Sequence, residues 1–256
     1  MPDLFDMQLR AQRRDRAART GAELFLYERV FEDCLERIGL LGRHFRSALL
    51  IGCPDPGWPN RLCATVEQVD VRDPGPLFAA AAGGSQIAED AWDPPAERYD
   101  LVLAIGTLDT VNDFPLALRL VRHSMQPDSL FIGAFSGGET LPALRTAMRA
   151  ADAVSAGATP HVHPRIEPSA LAPLLGDAGF IRPVVDVDRV SASYSSLRRL
   201  AADLRAMGAT NVLRTRGRPL VRRQFDAGSS AFANGSERTA ETFEILHFAA
   251  WTPDNK

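Results

Sequence analysis

The chain has few cysteines and no long hydrophobic run. Its three cysteines, Cys34, Cys53 and Cys63, include no Cys-x-x-Cys pair, which argues against a disulfide framework and a structural zinc site and favours a reducing cytosol. No apolar stretch approaches the ~20 residues that span a membrane, and the N-terminus lacks the apolar segment of a secretion signal. The sequence therefore predicts a cytoplasmic protein with no membrane span and no metal site.

Neither sign of charge dominates. The chain has 29 Lys and Arg residues against 32 Asp and Glu residues, which gives a formal net charge of -3 and a pI near 6.0. This balance gives no electrostatic reason to expect nucleic acid or an anionic membrane as a partner. Any basic surface must therefore be local.

Two segments are locally rich in arginine. The first, residues 1–20, contains Arg10, Arg13, Arg14, Arg16 and Arg19, and its acids Asp3, Asp6 and Asp15 argue against an organellar transit peptide. We interpret it as a solvated basic helix, with phosphate or partner binding as the alternative. The second, 214–223, is either a solvated loop or a docking surface for an acidic protein or a phosphate. The glycine- and serine-rich segment 228–238 after it is predicted to be mobile.

Strand and helix patterns alternate along the chain. At 45% apolar content, 256 residues can bury a full core. Strands are predicted at 48–51, 66–71, 86–88, 100–105, 130–135 and 184–190, and helices at 23–38, 77–82, 114–125, 140–153 and 168–178. The last strand, 243–251, should pair in the antiparallel direction. This order predicts an α/β fold with a doubly wound, mostly parallel sheet that binds ligands at the carboxyl ends of its strands.

The first predicted strand runs into a turn that holds both glycines and prolines, namely Gly52, Pro54, Pro56 and Gly57. In such a sheet this turn cradles a nucleotide cofactor, because glycines let the backbone come close and the following helix offers free N–H groups. An acidic residue about 20 positions later binds the ribose hydroxyls. Asp70 has that spacing, and the alternative is that it caps a turn together with Asp73.

Three more residues are candidates for cofactor contacts. Glu89 and Asp90 follow a short predicted strand and are placed to face an adenine ring, although an acidic loop explains them equally well. Ile105 ends the strand at 100–105, at the same predicted edge of the sheet.

Several segments follow one another as in class I S-adenosylmethionine-dependent methyltransferases: 99–103, 111–118, 126–135 and 137–141. A narrower set resembles the branch that contains a mitochondrial complex I assembly factor described as a protein-arginine hydroxylase: Pro-His-Val-His-Pro at 160–164, Leu-Leu-Gly-Asp-Ala-Gly-Phe at 174–180 and Met-Gly-Ala-Thr-Asn at 207–211. The malonyl-carrier-protein methyltransferase of biotin synthesis is a more distant likeness. The resemblance covers about 5–251.

This resemblance implies a seven-stranded Rossmann-like sheet with a helical lid insertion and S-adenosylmethionine as the cofactor. The implied segments are an N-terminal helical part (1–45), a cofactor-binding half (46–138), a lid or substrate segment with later strands (139–213), and a basic loop with the final strand (214–256). The implied cofactor contacts are Gly52, Asp55, Gly57, Asp70, Glu89, Asp90 and Ile105.

The chain departs from the family pattern at the first cofactor motif. Leu50 occupies the position of an acidic residue, and Pro54 and Pro56 stand where glycines are expected. Proline fixes φ and removes a backbone donor, so the close approach that glycine allows is lost. Asp55 either substitutes for the missing acid or serves its own turn. Loss of one charge-assisted hydrogen bond to the cofactor costs ~1.5 to 3 kcal/mol, so binding is predicted to be weakened or lost.

Only two histidines suggest a catalytic group. His161 and His163 alternate across Val162, so in an extended segment both would point to one side and could act as a base or bind a metal. A structural role is the alternative, and methyl transfer needs positioning more than a catalytic dyad.

Two functions remain open. The first is a methyltransferase-superfamily protein that acts on a protein or carrier-bound substrate with weakened or lost cofactor binding. The second is a non-catalytic assembly factor or regulatory binding protein that docks through residues 214–223.

Overall fold

A computed structural model describes residues 3–155 and 157–254. Its strands are β1 (Phe45–Ile51), β2 (Val66–Asp73), β3 (Ser85–Gln86), β4 (Tyr99–Ile105), β5 (Met125–Ser136), β6 (Ile181–Tyr194) and β7 (Thr239–Trp251). Its helices are α1 (Met7–Thr20), α2 (Phe25–Leu40), α3 (Trp58–Leu62), α4 (Pro76–Ala81), α5 (Phe114–Ser124), α6 (Pro142–Ala153), α7 (Pro168–Asp177), α8 (Leu197–Ala206) and α9 (Arg222–Ala233).

The strands form one seven-stranded sheet in the order β3-β2-β1-β4-β5-β7-β6. The pairs from β3 to β5 are parallel, whereas β7 lies antiparallel between β5 and β6. The predicted α/β fold, with its mostly parallel sheet and antiparallel last strand, is confirmed. All seven residues of β4 are buried, because helices cover both faces of the sheet centre.

The structure extends several predicted strands. β2 continues to Asp73 rather than ending at Val71, so Asp70 lies inside the strand. β6 runs from Ile181 to Tyr194, well beyond the predicted bounds, because it pairs with β7 over that length. The strand predicted at 86–88 is reduced to Ser85–Gln86, so Glu89 lies in the loop that follows.

Two predictions about individual segments are wrong. The first helix is not simply solvated, since Arg10 and Arg14 are each only 4% exposed. The segment predicted to be mobile is helical up to Ala233, because Phe232 is buried and Gly228 lies against α6. A Cβ atom at Gly228 would lie 3.1 Å from the Ala147 carbonyl oxygen, so the glycine allows the two helices to pack closely.

No helix within the described ranges is long and apolar enough to cross a membrane.

Candidate functional site

The carboxyl ends of β1, β2 and β4 meet at Gly52. This residue has φ +83, and a Cβ atom there would lie 2.2 Å from the carbonyl oxygen of Ile105. Only glycine therefore fits the turn as it stands. The next amide, Cys53 N, donates to the Asp73 carboxylate at 2.8 Å, which joins the end of β1 to the end of β2.

The proline turn is held by its own aspartate. Asp55 accepts a hydrogen bond from Gly57 N at 2.7 Å with its side chain and one from Trp58 N at 3.2 Å with its carbonyl oxygen. Trp58 begins α3 and stacks on Phe31 with ring centroids 4.3 Å apart. Asp55 and Gly57 thus form a self-capped turn that is anchored by a buried aromatic pair.

Asp73 is fully buried at the end of β2 and is satisfied by protein groups alone. It accepts from Arg14 Nε at 2.7 Å and Arg14 Nη2 at 2.5 Å, and from the backbone amides of Cys53 at 2.8 Å and Gly75 at 2.7 Å. Burial alone would lower the pKa of Arg14, but the charge of Asp73 outweighs it and raises that pKa. Arg14 therefore stays charged, and its contact with Asp73 is bidentate.

Glu89 makes a second buried pair with the same helix. Arg10 Nη1 and Nη2 donate to Glu89 Oε2 and Oε1, both at 2.7 Å, and Nη2 also donates to the Thr107 carbonyl oxygen at 2.6 Å. Arg10 and Arg14 are one turn apart on α1, so one face of this helix brings two guanidinium groups to two carboxylates at the sheet edge.

Asp70 and Asp90 point to other partners. Asp70 accepts from Tyr99 Oη and pairs with Arg98, both at 2.8 Å. Burial, together with this bond to Asp70, raises the pKa of Tyr99 to about 12. Asp90 accepts from the backbone amides of Asn112 at 3.0 Å and Asp113 at 2.9 Å, so it caps the loop before α5.

Ile105 is fully buried and lines a narrow cavity beneath α8. The neighbouring Gly106 has φ +64, and a Cβ atom there would lie 2.4 Å from Tyr27 Cε1. The Tyr27 ring therefore lies directly on the backbone after β4, and its hydroxyl donates to the Met207 carbonyl oxygen at 3.0 Å. Burial raises the pKa of Tyr27.

Among the described residues, two small cavities include both Tyr27 and Gly106 in their lining. The one that includes Ile105 and Met207 has a volume of about 60 Å³. The other, which includes Arg10 and Arg14, also has a volume of about 60 Å³. Sites for drug-sized ligands usually have ~300 to 1,000 Å³, so both are far smaller than an adenosyl group requires in this conformation.

The two candidate histidines have separate partners. His161 Nε2 lies 2.9 Å from Asp152 Oδ1 and 3.0 Å from Thr159 Oγ1. His163 is buried, and its Nε2 accepts from Val212 N at 2.9 Å. Burial, with the charges of Arg10 and Arg145, lowers the pKa of His163 to about 4, so its ring is neutral at physiological pH.

In the parts of the chain that the structure describes, no group of three or more His, Cys, Asp or Glu residues could hold a metal ion.

Sequence reasoning missed the residues that dominate this edge, namely Asp73, Arg10 and Arg14. The available signal was the spacing of Arg10, Arg14 and Ala17, which lie on one helical face and are all buried. It missed a further pair as well. Arg165 Nη1 bonds to Asp109 Oδ2, and both side chains are buried.

Comparison with known proteins identifies relatives along nearly the whole chain, although no protein-family model matches it. It is 30% identical to "Arginine-hydroxylase NDUFAF5, mitochondrial" of Danio rerio, over 98% of this chain and 83% of that protein. It is 28% identical to the Homo sapiens protein of that name, over 97% of this chain and 77% of that protein. Malonyl-[acyl-carrier protein] O-methyltransferase of Xylella fastidiosa is 31% identical over 61% of this chain and 53% of its own length.

Solved structures show the same fold at low identity. The YcgJ protein of Bacillus subtilis matches with TM-score 0.58 and 13% identity over 86% of this chain and all of that one. The N-methyltransferase NodS of Bradyrhizobium japonicum, solved with S-adenosyl-L-homocysteine, matches with TM-score 0.54 and 15% identity over 96% of this chain and 99% of that one. The relatives in sequence show that the chain belongs to the NDUFAF5 arginine-hydroxylase family, and the solved structures show that it shares its fold with methyltransferases such as NodS.

Proposed function

We propose that this protein has weakened or lost its binding of S-adenosylmethionine and acts on a protein or carrier-bound partner. The observation that carries this proposal is the pair of buried ion pairs, Arg14 with Asp73 and Arg10 with Glu89. They lie at the edge of the sheet where this fold binds its cofactor.

In this fold the carboxylate after the second strand takes the ribose hydroxyls. Asp73 holds that position at the end of β2, and its oxygens already accept four hydrogen bonds from Arg14, Cys53 and Gly75. A ribose would have to displace the guanidinium of Arg14. Glu89, which was predicted to face the adenine, is held in the same way by Arg10.

The energy of that displacement supports weak binding. Removing one partner from a buried ion pair costs ~3 to 5 kcal/mol, because the remaining charge is buried and uncompensated. Each ~1.4 kcal/mol is a tenfold change in affinity. Opening a single pair would therefore weaken cofactor binding by roughly two to four orders of magnitude unless the ligand replaced every lost contact.

The first motif weakens the site further. Leu50 is fully buried where the family pattern has an acid, so no carboxylate meets the cofactor's ammonium group there. Pro54 has no backbone N–H to donate. In this conformation the residues present do not fit S-adenosylmethionine.

The names of the relatives support a macromolecular partner. One group is named for hydroxylation of arginine and the other for methylation of a malonyl group on an acyl-carrier protein. We propose that the segment 139–213, which includes α6, α7 and α8, receives such a partner above the sheet edge.

A non-catalytic assembly or regulatory role is the second candidate. It is favoured by the arginine segment 214–223, in which Arg214 and Arg216 pair with Asp3 and Asp6. Within the described residues, Arg218 and Arg223 have no carboxylate at ion-pair distance. These two side chains are exposed and are available to an acidic partner.

For location we propose the cytoplasm, because the low cysteine content fits a reducing compartment. The NDUFAF5 relatives are named as mitochondrial proteins. Fractionation of cells that express the full natural protein would distinguish the two.

Calorimetric titration of S-adenosylmethionine tests the proposed function. We expect no saturable heat for the wild-type protein up to about 1 mM. The variant Arg14→Ala, which frees Asp73, should bind at least ~100-fold more tightly. Arg19→Ala is the matched control, since Arg19 is on the same helix with its side chain 64% exposed, and it should behave as wild type. Micromolar binding by the wild-type protein would overturn the proposal.

A further inference from the structure

A third cavity adjoins the two small ones that include Tyr27 and Gly106. It has a volume of about 140 Å³, and its lining includes the exposed Arg205 of α8, so it reaches the surface. Arg165 and Ala209 line all three cavities. The three spaces therefore meet at these two residues, and together they lead from the surface into the interior.

The inner end of this path is apolar. The inner cavity is the one of about 60 Å³ that includes Ile105. Most of its wall consists of apolar side chains from α2, β4, α8 and β7, namely Leu26, Val30, Ile105, Leu204, Phe243 and Ile245. Such side chains cannot replace the hydrogen bonds of water, so the space favours an apolar group. Since one water occupies about 30 Å³ of the liquid, the inner cavity has room for a short chain only.

Arg165 places a positive charge where the cavities meet. Its side chain is only 6% exposed, and burial lowers its pKa to about 10, which leaves it charged at physiological pH. Among the described residues it makes one hydrogen bond, from Nη1 to Asp109. Its Nε atom is closed to solvent. Nη2 also bonds to no described residue, but unlike Nε it is accessible to solvent, so it is a free donor at the wall of the cavities.

The charges around this point favour an anion. In the described residues, Asp109 is the only carboxylate that lines any of the three cavities, and Arg165 already holds it. Arg145 adds a second positive group nearby. It donates to the carbonyl oxygens of His163 at 3.3 Å and Thr140 at 3.1 Å, and no described carboxylate lies at ion-pair distance from it. The lining thus has no spare carboxylate for a cation.

We propose that these cavities bind a small carboxylic acid, with its carboxylate on Arg165 Nη2 and its apolar chain of about two to four carbons in the inner cavity. One guanidinium can hold two carboxylates, because its five N–H donors point in different directions. Asp109 takes one side and the ligand takes the other. This inference goes beyond the proposed function and does not rest on it, because the inner cavity lies beneath α8 and not at the buried ion pairs of the cofactor edge.

Calorimetry with butyrate, at constant ionic strength in chloride buffer, tests the site. We expect saturable binding at one site per chain with a Kd on the order of 1 mM. Butyramide has a similar shape but no charge, and it should bind at least ~10-fold more weakly. Because the inner cavity is short, affinity should rise from acetate to butyrate and fall for octanoate. Absence of saturable butyrate binding, equal affinity for the amide, or a steady rise to octanoate would overturn the proposal.

Two variants locate the binding site. Ala209→Leu fills the point where the cavities meet and should weaken butyrate binding at least ~10-fold, because it separates the ligand from Arg165 Nη2. The matched control is Ala170→Leu, at an exposed alanine on α7 outside the three cavities, which should leave binding unchanged.

The double variant Asp109→Asn, Arg165→Gln removes both charges of the pair together, and it should bind butyrate no more tightly than butyramide. Because it leaves no buried charge unpaired, it decides the question if Ala209→Leu does not fold. Circular dichroism verifies the fold of each variant. Unchanged butyrate binding by a folded site variant would show that butyrate binds elsewhere and would overturn the proposal.

Discussion

Arg14 and Asp73 form a contact in which both charged groups are withdrawn from water. Their side chains are 5% and 0% exposed, and Asp73 also holds the amides of Cys53 and Gly75. The pair therefore fixes α1 to the ends of β1 and β2. Gly75 makes room for it, since a Cβ atom there would lie 2.7 Å from Arg14 Cβ.

Replacing Arg14 with Ala should lower the free energy of unfolding by ~3 to 5 kcal/mol, because Asp73 would remain buried without its counter-charge. Urea denaturation monitored by circular dichroism measures this. Arg19→Ala should change the value by less than ~0.5 kcal/mol, because its pair with Asp15 is a long one, 3.8 Å, with Arg19 at the surface. Similar losses for both variants would contradict a buried, dominant pair.

His163 should make stability depend on pH. Its folded-state pKa is about 4 against an ordinary value of 6.5, so the unfolded chain binds the proton more readily. The contribution of neutral His163 to the free energy of unfolding is fully present above pH ~6.5 and is lost as the pH falls toward ~4. The total loss is about 3 kcal/mol. Unfolding midpoints across this range should shift less in His163→Gln. The exposed His44 supplies the control, since His44→Gln should keep the wild-type dependence of the unfolding midpoint on pH. The same dependence on pH in the wild type and both variants would contradict the assignment of the effect to His163.

At the scale of elements, the proline turn and α1 both close the cofactor edge. The variant Pro54→Gly, Pro56→Gly restores a backbone donor and freer φ angles in the turn. By itself this double variant should gain little affinity for S-adenosylmethionine, because Arg14 still occupies Asp73. Combined with Arg14→Ala it should bind more tightly than either change alone. Calorimetry of the three variants measures this coupling, and tight binding by the glycine variant alone would show that the turn is the main barrier.

Two elements also show why pattern reading was incomplete. Helix α9 has a composition typical of a flexible segment, yet it packs on α6. The lack of a side chain at Gly228 lets the two helices approach closely. Helix α1 has the charge of a solvated helix, yet its buried face contacts a carboxylate at the end of β2 and another in the loop after β3. Local composition contains no information about such partners.

At the scale of the whole molecule, the net charge of -3 opposes general attraction to polyanions. The arginine clusters are local, and two of the arginines in 214–223 are paired with acids from the N-terminus. We expect no measurable association with a labelled DNA duplex at about 0.15 M ionic strength. Fluorescence anisotropy measures this, and binding with a steep salt dependence would contradict the expectation.

The sequence by itself determined the α/β class, the mostly parallel sheet, the antiparallel last strand and the likeness to the methyltransferase fold. These follow from periodicities and motifs that are local in the chain. The tertiary structure decided which acid ends β2, and that Arg10 and Arg14 lie on Glu89 and Asp73. Arg14 and Asp73 are 59 positions apart, and Arg10 and Glu89 are 79 apart. Because these residues are so far apart in the sequence, only folding brings them together. Once each pair is buried, each charge depends on its partner for its stability.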